Sequence, residues 1–443
     1  MQTSNPNLLA IRRIFVDDLF GQFTYDLRQE HLSHSNHLFI IYGDNGSGKT
    51  TLLKLIFHML TSEEGHGHKS FLAHTQFKTL IVELEDGRSI VAHRNDSALT
   101  GSYNLSVKSR TGSSTEIFFN VDKDNTIHLT PNDEEYPQYL AVMESLLELG
   151  LSLYFLQDDR KVWSDLVRQD QGETTVVYYD ESVAARPHRR RIAKQPPPIL
   201  ERAIDRFVWT VKNQAFQAST VGDFNVSTIY NDIARSIANS PLEPNEMHIE
   251  SPVYSLIKTL EEQSDRSEAF AKFGLSSQLS IGELLSILHS ARMETLPLLT
   301  GVLTPYVNAI KARLDAVEAT YDSVRSLVEG INSFYTNKEV SFDFENGVRI
   351  HTSRGEALNP NSLSSGEQQL LLLFCNALTV QHRPTLFLID EPELSLNVKW
   401  QRQLIQALLR TTSGRPIQFV LATHSLELLA LHGEHVVKLT SVN

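Results

Sequence analysis

The sequence has a single cysteine, Cys375, among 443 residues. One cysteine cannot close an internal disulfide, and a cysteine-rich zinc site needs several thiolates. These two kinds of scaffold are therefore excluded, and the composition fits a reducing compartment. Cys375 itself is expected to be a small buried apolar residue.

The sequence also lacks an apolar run long enough to span a bilayer, which takes about 20 residues. Residues 1–10 show no basic region followed by an apolar core, as a secretory leader would. Acidic residues outnumber basic ones by 53 to 40, for a net charge of −13. We expect a globular cytoplasmic protein, and the charge disfavours a general nucleic-acid coat because phosphate neutralisation needs clustered Lys and Arg.

One basic run, Arg186–Lys194, stands out against the acidic total and precedes a stiff Pro196–Pro198 segment. It is either a solvated loop or a contact for nucleic acid or an acidic partner. Six histidines gather near two polar connections without an accompanying cysteine, so we expect surface or turn roles for them rather than a metal site. They are His31, His34, His37, His66, His68 and His74.

What the sequence does contain is a glycine-rich loop between an apolar strand, Leu38–Ile41, and a helical apolar stripe that starts at Leu52. It matches G-x-x-x-x-G-K-[ST], in which glycines let backbone N–H groups wrap a phosphate chain. Lys49 is expected to reach the β and γ phosphates, and the Thr50 hydroxyl to be a Mg²⁺ ligand. The expected nucleotide-binding residues are Gly43, Asp44, Asn45, Gly46, Ser47, Gly48, Lys49, Thr50 and Thr51.

Between residues 11 and 121, alternating apolar residues predict antiparallel hairpins, one of them around the Asp86-Gly87 turn. Residues 199–335 are helical in pattern, and a heptad seam runs from Ile310 to Tyr335. The seam favours packing within a helical insertion, with an intermolecular coiled coil as the alternative. Sheet is predicted to return around the Asn346-Gly347 turn.

Small polar residues, Ser364, Ser365 and Gly366, precede the nearly all-apolar segment Leu370–Leu378. The apolar segment predicts a buried helix, so the small residues lie at its N-terminus. Backbone N–H groups and a hydroxyl there can bind an anion without a lysine.

A second apolar run, Thr385–Ile389, ends in Asp390 and Glu391 and predicts a buried parallel strand. Ligands of open α/β sheets bind at the carboxyl ends of strands. We therefore expect Asp390 to hold Mg²⁺ and Glu391 to orient and deprotonate the attacking water. The alternative is that the acids, with Glu393, start a helix.

A third apolar run, residues 419–422, leads to His424, which is expected to contact a γ-phosphate oxygen or the attacking water. The apolar strand at Ser152–Leu156 ends at Gln157, where a second nucleotide-sensing loop is expected.

The order of these motifs resembles an ABC-type ATPase head. Within that superfamily, residues 390–396 followed by Ala422–Ser425 resemble the SMC-like OLD family and its stand-alone ATP-binding relatives, such as the ATPase subunits of the anti-phage systems PARIS and Septu. The resemblance implies an α/β fold with a mixed sheet, an antiparallel β-subdomain and a large helical insertion. The implied division is 1–160 and 336–443 for the two parts of the head and 161–335 for the insertion.

The resemblance also implies that Ser364, Ser365 and Gly366 serve the γ-phosphate of ATP held by a partner subunit, so that a homodimer or a higher even oligomer shares its sites. Gln157 resembles the glutamine that senses Mg²⁺ and water. Two residues depart from the family pattern. Asn397 replaces an aspartate or histidine, and Ser365 replaces the middle glycine of the usual signature.

We therefore expect an ATP-binding and ATP-hydrolysing enzyme that acts as the nucleotide-dependent sensor of an anti-phage complex. The sequence ends shortly after His424 with no nuclease constellation, so a separate effector, a nuclease, is expected as partner. Nucleic acid or a phage protein is the expected trigger. The alternatives are a DNA-repair ATPase similar to RecF that binds duplex DNA, a transporter subunit, and a scaffold without chemistry.

Overall fold

The computed structural model describes residues 9–29, 37–63, 67–95, 97–159, 162–164, 198–238, 250–292, 294–380 and 383–441, without side-chain detail for 163–164, 219–238 and 250–252. The basic run at Arg186–Lys194 and the histidines His31, His34 and His66 lie outside these ranges. The chain forms two compact units, Met1–Ile199 with Val380–Asn443, and Leu200–Thr379. The division at residues 160 and 335 stays a prediction.

The elements of the first unit up to its interruption are β1 (Ile11–Leu19), β2 (Phe23–Arg28), β3 (Leu38–Tyr42), α1 (Lys49–Leu60), α2 (His68–His74), β4 (Thr79–Leu84), β5 (Ser89–His93), β6 (Tyr103–Lys108), β7 (Ser114–Phe119), α3 (Tyr136–Leu147), β8 (Ser152–Leu156) and β9 (Val162–Ser164). The second unit contains α4 (Ile199–Ala238), α5 (Glu250–Ala271), α6 (Gly282–Ser290), α7 (Leu296–Asn332), β10 (Lys338–Asp343), β11 (Gly347–Thr352), β12 (Ala357–Leu358) and α8 (Ser365–Thr379). The first unit then resumes with β13 (Thr385–Asp390), α9 (Val398–Thr411), β14 (Ile417–Thr423), α10 (Leu426–Leu429) and β15 (Val436–Lys438).

One sheet of the first unit is antiparallel, in the order β2-β1-β4-β5-β6-β7. It contains the predicted hairpins, which alternate buried and part-exposed side chains as a half-buried sheet requires. Gly87 makes the β4–β5 turn at φ +89°, and the Asp86 carboxylate accepts a hydrogen bond from the Arg88 N–H at 3.0 Å. The predicted antiparallel subdomain is confirmed.

The other sheet has the order β15-β3-β14-β13-β8-β9, and its strands are parallel except for β9. β13 and β14 are buried at every position, because both faces of the sheet are covered. Leu52 and Ile56 of α1 share one core with Leu388 and Val420 of this sheet. The α/β class predicted from the sequence is confirmed.

In the second unit, the heptad seam of α7 packs within the chain. Leu314 and Val317 form a buried cluster with Phe270 of α5, and the rings of Phe270 and Tyr321 stack at 4.4 Å. Arg266 of α5 adds ion pairs to Asp315 and Glu318. These contacts agree with the preferred interpretation of the heptad seam, which is packing within the helical insertion rather than an intermolecular coiled coil.

The expectation of a surface role is wrong for His68. This side chain is 5% exposed, and its Nδ1 lies 2.8 Å from Nδ1 of His58 at the end of α1. Packing of α2 against α1 buries the pair, which the local sequence pattern does not reveal. Within the described residues, no helix combines the length and the apolarity needed to cross a membrane.

Candidate nucleotide-binding and catalytic site

Four parallel strands bring the sequence motifs of the first unit to one edge of its sheet. Tyr42 pairs with Thr423, Ala422 pairs with Asp390, and Ile389 pairs with Leu156. The glycine-rich loop, His424, Glu391 and Gln157 each follow one of these strands directly. Carboxyl ends of parallel strands are the usual ligand-binding edge of such sheets.

Two glycines of the glycine-rich loop, Gly43 and Gly48, have little room for a side chain. Gly48 caps α1 at φ +85°, and a Cβ there would lie 2.9 Å from Cδ2 of Leu19. A Cβ on Gly43 would lie 2.8 Å from Oγ of Ser47, which donates a hydrogen bond to the Asp44 carbonyl. The sequence interpretation missed Tyr25, whose hydroxyl donates to the Ser47 carbonyl at 3.1 Å.

Lys49, the first residue of α1, is buried, and its ammonium points back into the loop. Its Nζ donates to the carbonyls of Gly43 at 2.9 Å and Asp44 at 3.0 Å, and lies 3.6 Å from Oε1 of Glu391. The predicted phosphate-binding cation and the predicted base therefore lie side by side, although they are more than 300 residues apart in sequence.

Asp390 is the last residue of β13 and is 1% exposed. Neither of its carboxylate oxygens has a partner at hydrogen-bonding geometry among the described residues. Burial raises the pKa of this carboxyl, and the nearby Thr50 hydroxyl only moderates the rise. A buried carboxylate with two free oxygens beside a hydroxyl matches the hard oxygen ligands that Mg²⁺ prefers.

Glu391 has the left-handed backbone conformation, with φ +46°, and its N–H donates to the Ala422 carbonyl at 2.8 Å. Its Oε2 is hydrogen-bonded to Nδ1 of His424. Burial, reinforced by the neighbouring carboxylate of Glu393, raises the pKa of Glu391 to about 7. The alternative that these acids start a helix is wrong, because β13 ends at Asp390 and α9 begins only at Val398.

Glu393 is the functional candidate that sequence reasoning passed over. It is 5% exposed, and its Oε1 accepts hydrogen bonds from the residues around His424. Ligand atoms of Glu391, Glu393 and His424 lie within 4.8 Å of one another. The only local signal was a third acid two residues after Glu391.

Two other predicted positions have plain structural settings. Gln157 is part-exposed directly after β8, next to the strand that ends in Asp390. Asn397 caps α9, where its side-chain oxygen accepts a hydrogen bond from the Trp400 N–H at 2.9 Å. Asparagine and aspartate are both preferred at this position, so capping of α9 does not by itself explain the departure from the family pattern.

The small polar residues before α8 belong to the second unit. The Ser364 N–H donates to Oε2 of Glu367 at 2.7 Å, and Lys338 of β10 donates to the same oxygen at 2.6 Å. Burial would raise the pKa of Glu367, but these two partners outweigh it and lower the pKa. Ser364 and Ser365 are exposed at the helix start, as predicted, while Gly366 is buried.

Comparison with known families gives two matches. Residues 249–430 match the family "AAA domain, putative AbiEii toxin, Type IV TA system", and residues 19–182 match a family described as "AAA domain". The two matches lie on different parts of the chain and together include every motif described above.

Among curated proteins, the chain is 30% identical over 121 residues to the DNA double-strand break repair Rad50 ATPase of Sulfurisphaera tokodaii, which is 27% of this chain and 14% of that protein. It is 23% identical over 312 residues to a "Putative ABC transporter ATP-binding protein" of Methanosarcina mazei, which is 64% of this chain and 58% of that protein. The chain thus spans less than two thirds of either relative.

Among solved structures, the Smc head domain with an extended coiled coil bound to the C-terminal domain of ScpA from Pyrococcus furiosus aligns with 98% of this chain and 94% of that chain. The identity is 12% and the TM-score 0.39, which is too low to establish a shared fold. Each of the two AAA families matches less than half of the chain, so the matches show similarity to AAA-type ATPase domains in these two segments. The parallel strands and the glycine-rich loop agree with an α/β P-loop fold.

Proposed function

We propose that the chain binds ATP at Gly43–Thr51 and hydrolyses it with Glu391 as general base and His424 beside it. The observation that carries this proposal is the Glu391 carboxylate, which lies between Nζ of Lys49 and Nδ1 of His424 at the sheet edge. A base in this position would stand next to the cation that binds the phosphates. Its raised pKa of about 7 suits proton transfer near neutral pH.

The residues present also fit Mg²⁺. Asp390 offers two buried oxygens without partners, and Thr50 offers a hydroxyl close by. We propose that these two hold the ion, with Gln157 as a further ligand. When bound, Mg²⁺ would neutralise charge that develops on the phosphate oxygens.

The second part of the proposal is a shared site. Ser364 and Ser365 are exposed at the start of a 15-residue helix, and the Ser364–Glu367–Lys338 contacts fix that helix start. Together with Gly366 they would bind the γ-phosphate of ATP in a second copy of the chain. ATP would then join two copies, and hydrolysis would separate them.

We propose that this nucleotide switch is the sensor of a bacterial anti-phage system in the cytoplasm, as in the OLD-like relatives, and that a separately encoded nuclease is its effector. The description of the matched family names a toxin–antitoxin system, which favours a chain that acts together with a second component. The long helices α4, α5 and α7 offer a surface for the effector or for a trigger such as nucleic acid or a phage protein.

A second candidate is a DNA-repair ATPase of the RecF or SMC type. The 121-residue similarity to a Rad50 ATPase favours it. This candidate requires binding to duplex DNA that weakens steeply with salt, because the contacts would be to phosphates. Duplex affinity measured at two salt concentrations, with and without ATP, tests this candidate, and the absence of salt-dependent duplex binding refutes it.

The test of the chemistry is the Glu391→Gln variant. It should bind ATP as tightly as the wild type but hydrolyse it about 100-fold or more slowly, because the attacking water loses its base. Lys49→Ala should instead weaken nucleotide binding. The matched control is Glu144→Gln, which makes the same change on the exposed face of α3 and should leave both properties unchanged. A normal hydrolysis rate for Glu391→Gln refutes the assignment of the base.

The test of the biology is co-expression. The chain should give phage resistance only together with the gene encoded beside it, and Lys49→Ala should abolish that resistance. Resistance or nuclease activity from the chain alone refutes the separate effector.

A further inference from the structure

We infer that Glu393 is a positioning residue for the reaction proposed above: its buried carboxylate fixes the segment that carries His424, and thereby holds the imidazole against Glu391. This inference rests on the proposed function.

The contacts of Glu393 converge on one oxygen. Its Oε1 accepts hydrogen bonds from the Thr423 hydroxyl, from the His424 N–H at 3.1 Å and from the Ser425 N–H at 3.1 Å. These three donors are consecutive residues at the end of β14. A single acceptor therefore fixes the backbone on both sides of the His424 side chain.

The same segment is held from two further directions. Thr423 is fully buried, and its Oγ1 accepts from the Ser425 N–H at 2.9 Å. The Ser425 hydroxyl donates to Gln401 of α9 at 2.8 Å and caps α10 through the Leu428 N–H. With Glu393 in place, the backbone from which the His424 ring projects towards Glu391 is fixed.

The carboxylate of Glu393 also lies close to that of Glu391, with ligand atoms of both and of His424 within 4.8 Å of one another. Oε2 of Glu393 is buried with no hydrogen-bond partner among the described residues. A glutamate buried without full hydrogen bonding is costly, so a function at this site explains it better than stability does.

The prediction is a split between binding and turnover. Glu393→Ala should reduce kcat about 10- to 100-fold, the range for losing a group that orients a reacting one, while nucleotide affinity stays unchanged. Glu393→Gln keeps an acceptor oxygen for the three donors and should recover most of the turnover. A residue that only stabilises the fold would lower the fraction of active protein and leave kcat per folded molecule intact.

The matched control is Gln418→Leu. Gln418 lies at the opposite end of the same strand, is fully buried, and exchanges two hydrogen bonds with the main chain of Ile11, at 2.7 and 3.1 Å. Gln418→Leu removes these hydrogen bonds and should lower the melting temperature, as Glu393→Ala does. It should leave kcat per folded molecule unchanged.

The decisive experiment is a double-mutant cycle with His424→Ala, measured as kcat and nucleotide affinity of folded protein. If Glu393 acts through His424, adding Glu393→Ala to His424→Ala should cost little further turnover. Fully additive losses, or wild-type kcat in Glu393→Ala, overturn the inference. A wild-type chain without ATPase activity would instead refute the proposed function, so the two failures are distinguishable.

Discussion

The buried carboxylate of Asp390 leads to a prediction in which stability and function move in opposite directions. Its two oxygens have no hydrogen-bond partners among the described residues, and burial raises its pKa. A buried polar group without partners costs about 1–3 kcal/mol. An unpaired buried charge costs more than an unpaired neutral amide, so replacement by the isosteric, uncharged Asn should stabilise the chain without ligand. For a unit of this size, about 1 kcal/mol corresponds to about 2–4 °C in Tm.

Bound ligand should make the wild type more stable than the Asp390→Asn variant. Saturating a site at about 100 times its Kd adds about 2.7 kcal/mol to the stability of the wild type. Asp390→Asn should lose most of this gain with Mg²⁺ and ATP, because Asn cannot neutralise the ion. The assay is thermal unfolding with and without MgATP, followed by titration of each component.

Asp26→Asn is the contrasting control. Hydrogen bonds and charge from Arg13, with a further contribution from Arg28, lower the pKa of Asp26 to about 2. This carboxylate stabilises the fold above the pKa of an unfolded Asp and loses that contribution as the pH falls towards 2. Asp26→Asn should therefore lower the free energy of unfolding at neutral pH by about 1 kcal/mol or less after solvent screening, and with it Tm. If Asp390→Asn lowers Tm as Asp26→Asn does, Asp390 has a structural partner and the reasoning fails.

Three further predictions concern other parts of the chain. Gly48→Ala should weaken nucleotide binding, since an alanine there would have to adopt φ +85° and its methyl would lie 2.9 Å from the end of the Leu19 side chain. Unchanged affinity by titration calorimetry would contradict the loop geometry. Arg94→Met should lower the free energy of unfolding, measured in urea, by at least about 3 kcal/mol. The reason is that the fully buried guanidinium of Arg94 donates hydrogen bonds to four main-chain carbonyls. A loss below about 1 kcal/mol would contradict this account. Mixing inactive Lys49→Ala with inactive Ser364→Arg chains should restore part of the ATPase activity, since a mixed dimer keeps one intact composite site; no recovery in verified mixed oligomers would argue for sites within single chains.

Much of the fold could be predicted from the sequence because its signals are local. The glycine-rich loop is specified by Gly43, Gly48 and Lys49 over a few residues, and the phosphate chemistry dictates that spacing. The buried strands β13 and β14 are short all-apolar runs, so their class and even their carboxyl-end acids were predictable. The borders of the compact units depend on which elements pack together, and no local signal specifies that.

The contacts of Glu393 and His68 could not be predicted for a related reason. Glu393 reaches the residues around His424 only because β13 pairs with β14 in one register, with Asp390 beside Ala422. His68 is buried only because α2 packs on the end of α1. Polar residues of these types are usually exposed, so sequence alone does not predict their burial. The hydrogen-bond partner of His68 is about 10 residues away in sequence and that of Glu393 about 30, and tertiary packing brings each pair together.

The candidate site concentrates several features that cost stability at one sheet edge. Glu391 has a left-handed backbone conformation, which costs about 1–3 kcal/mol for a residue other than glycine. Asp390 and Oε2 of Glu393 are buried without partners, and Glu391 and Glu393 place two carboxylates together. These features cost stability, whereas each fits the proposed binding of a cation or the proposed base near neutral pH. This pattern is expected where function rather than stability has shaped the residues, and it is the strongest physical reason to regard this edge as catalytic.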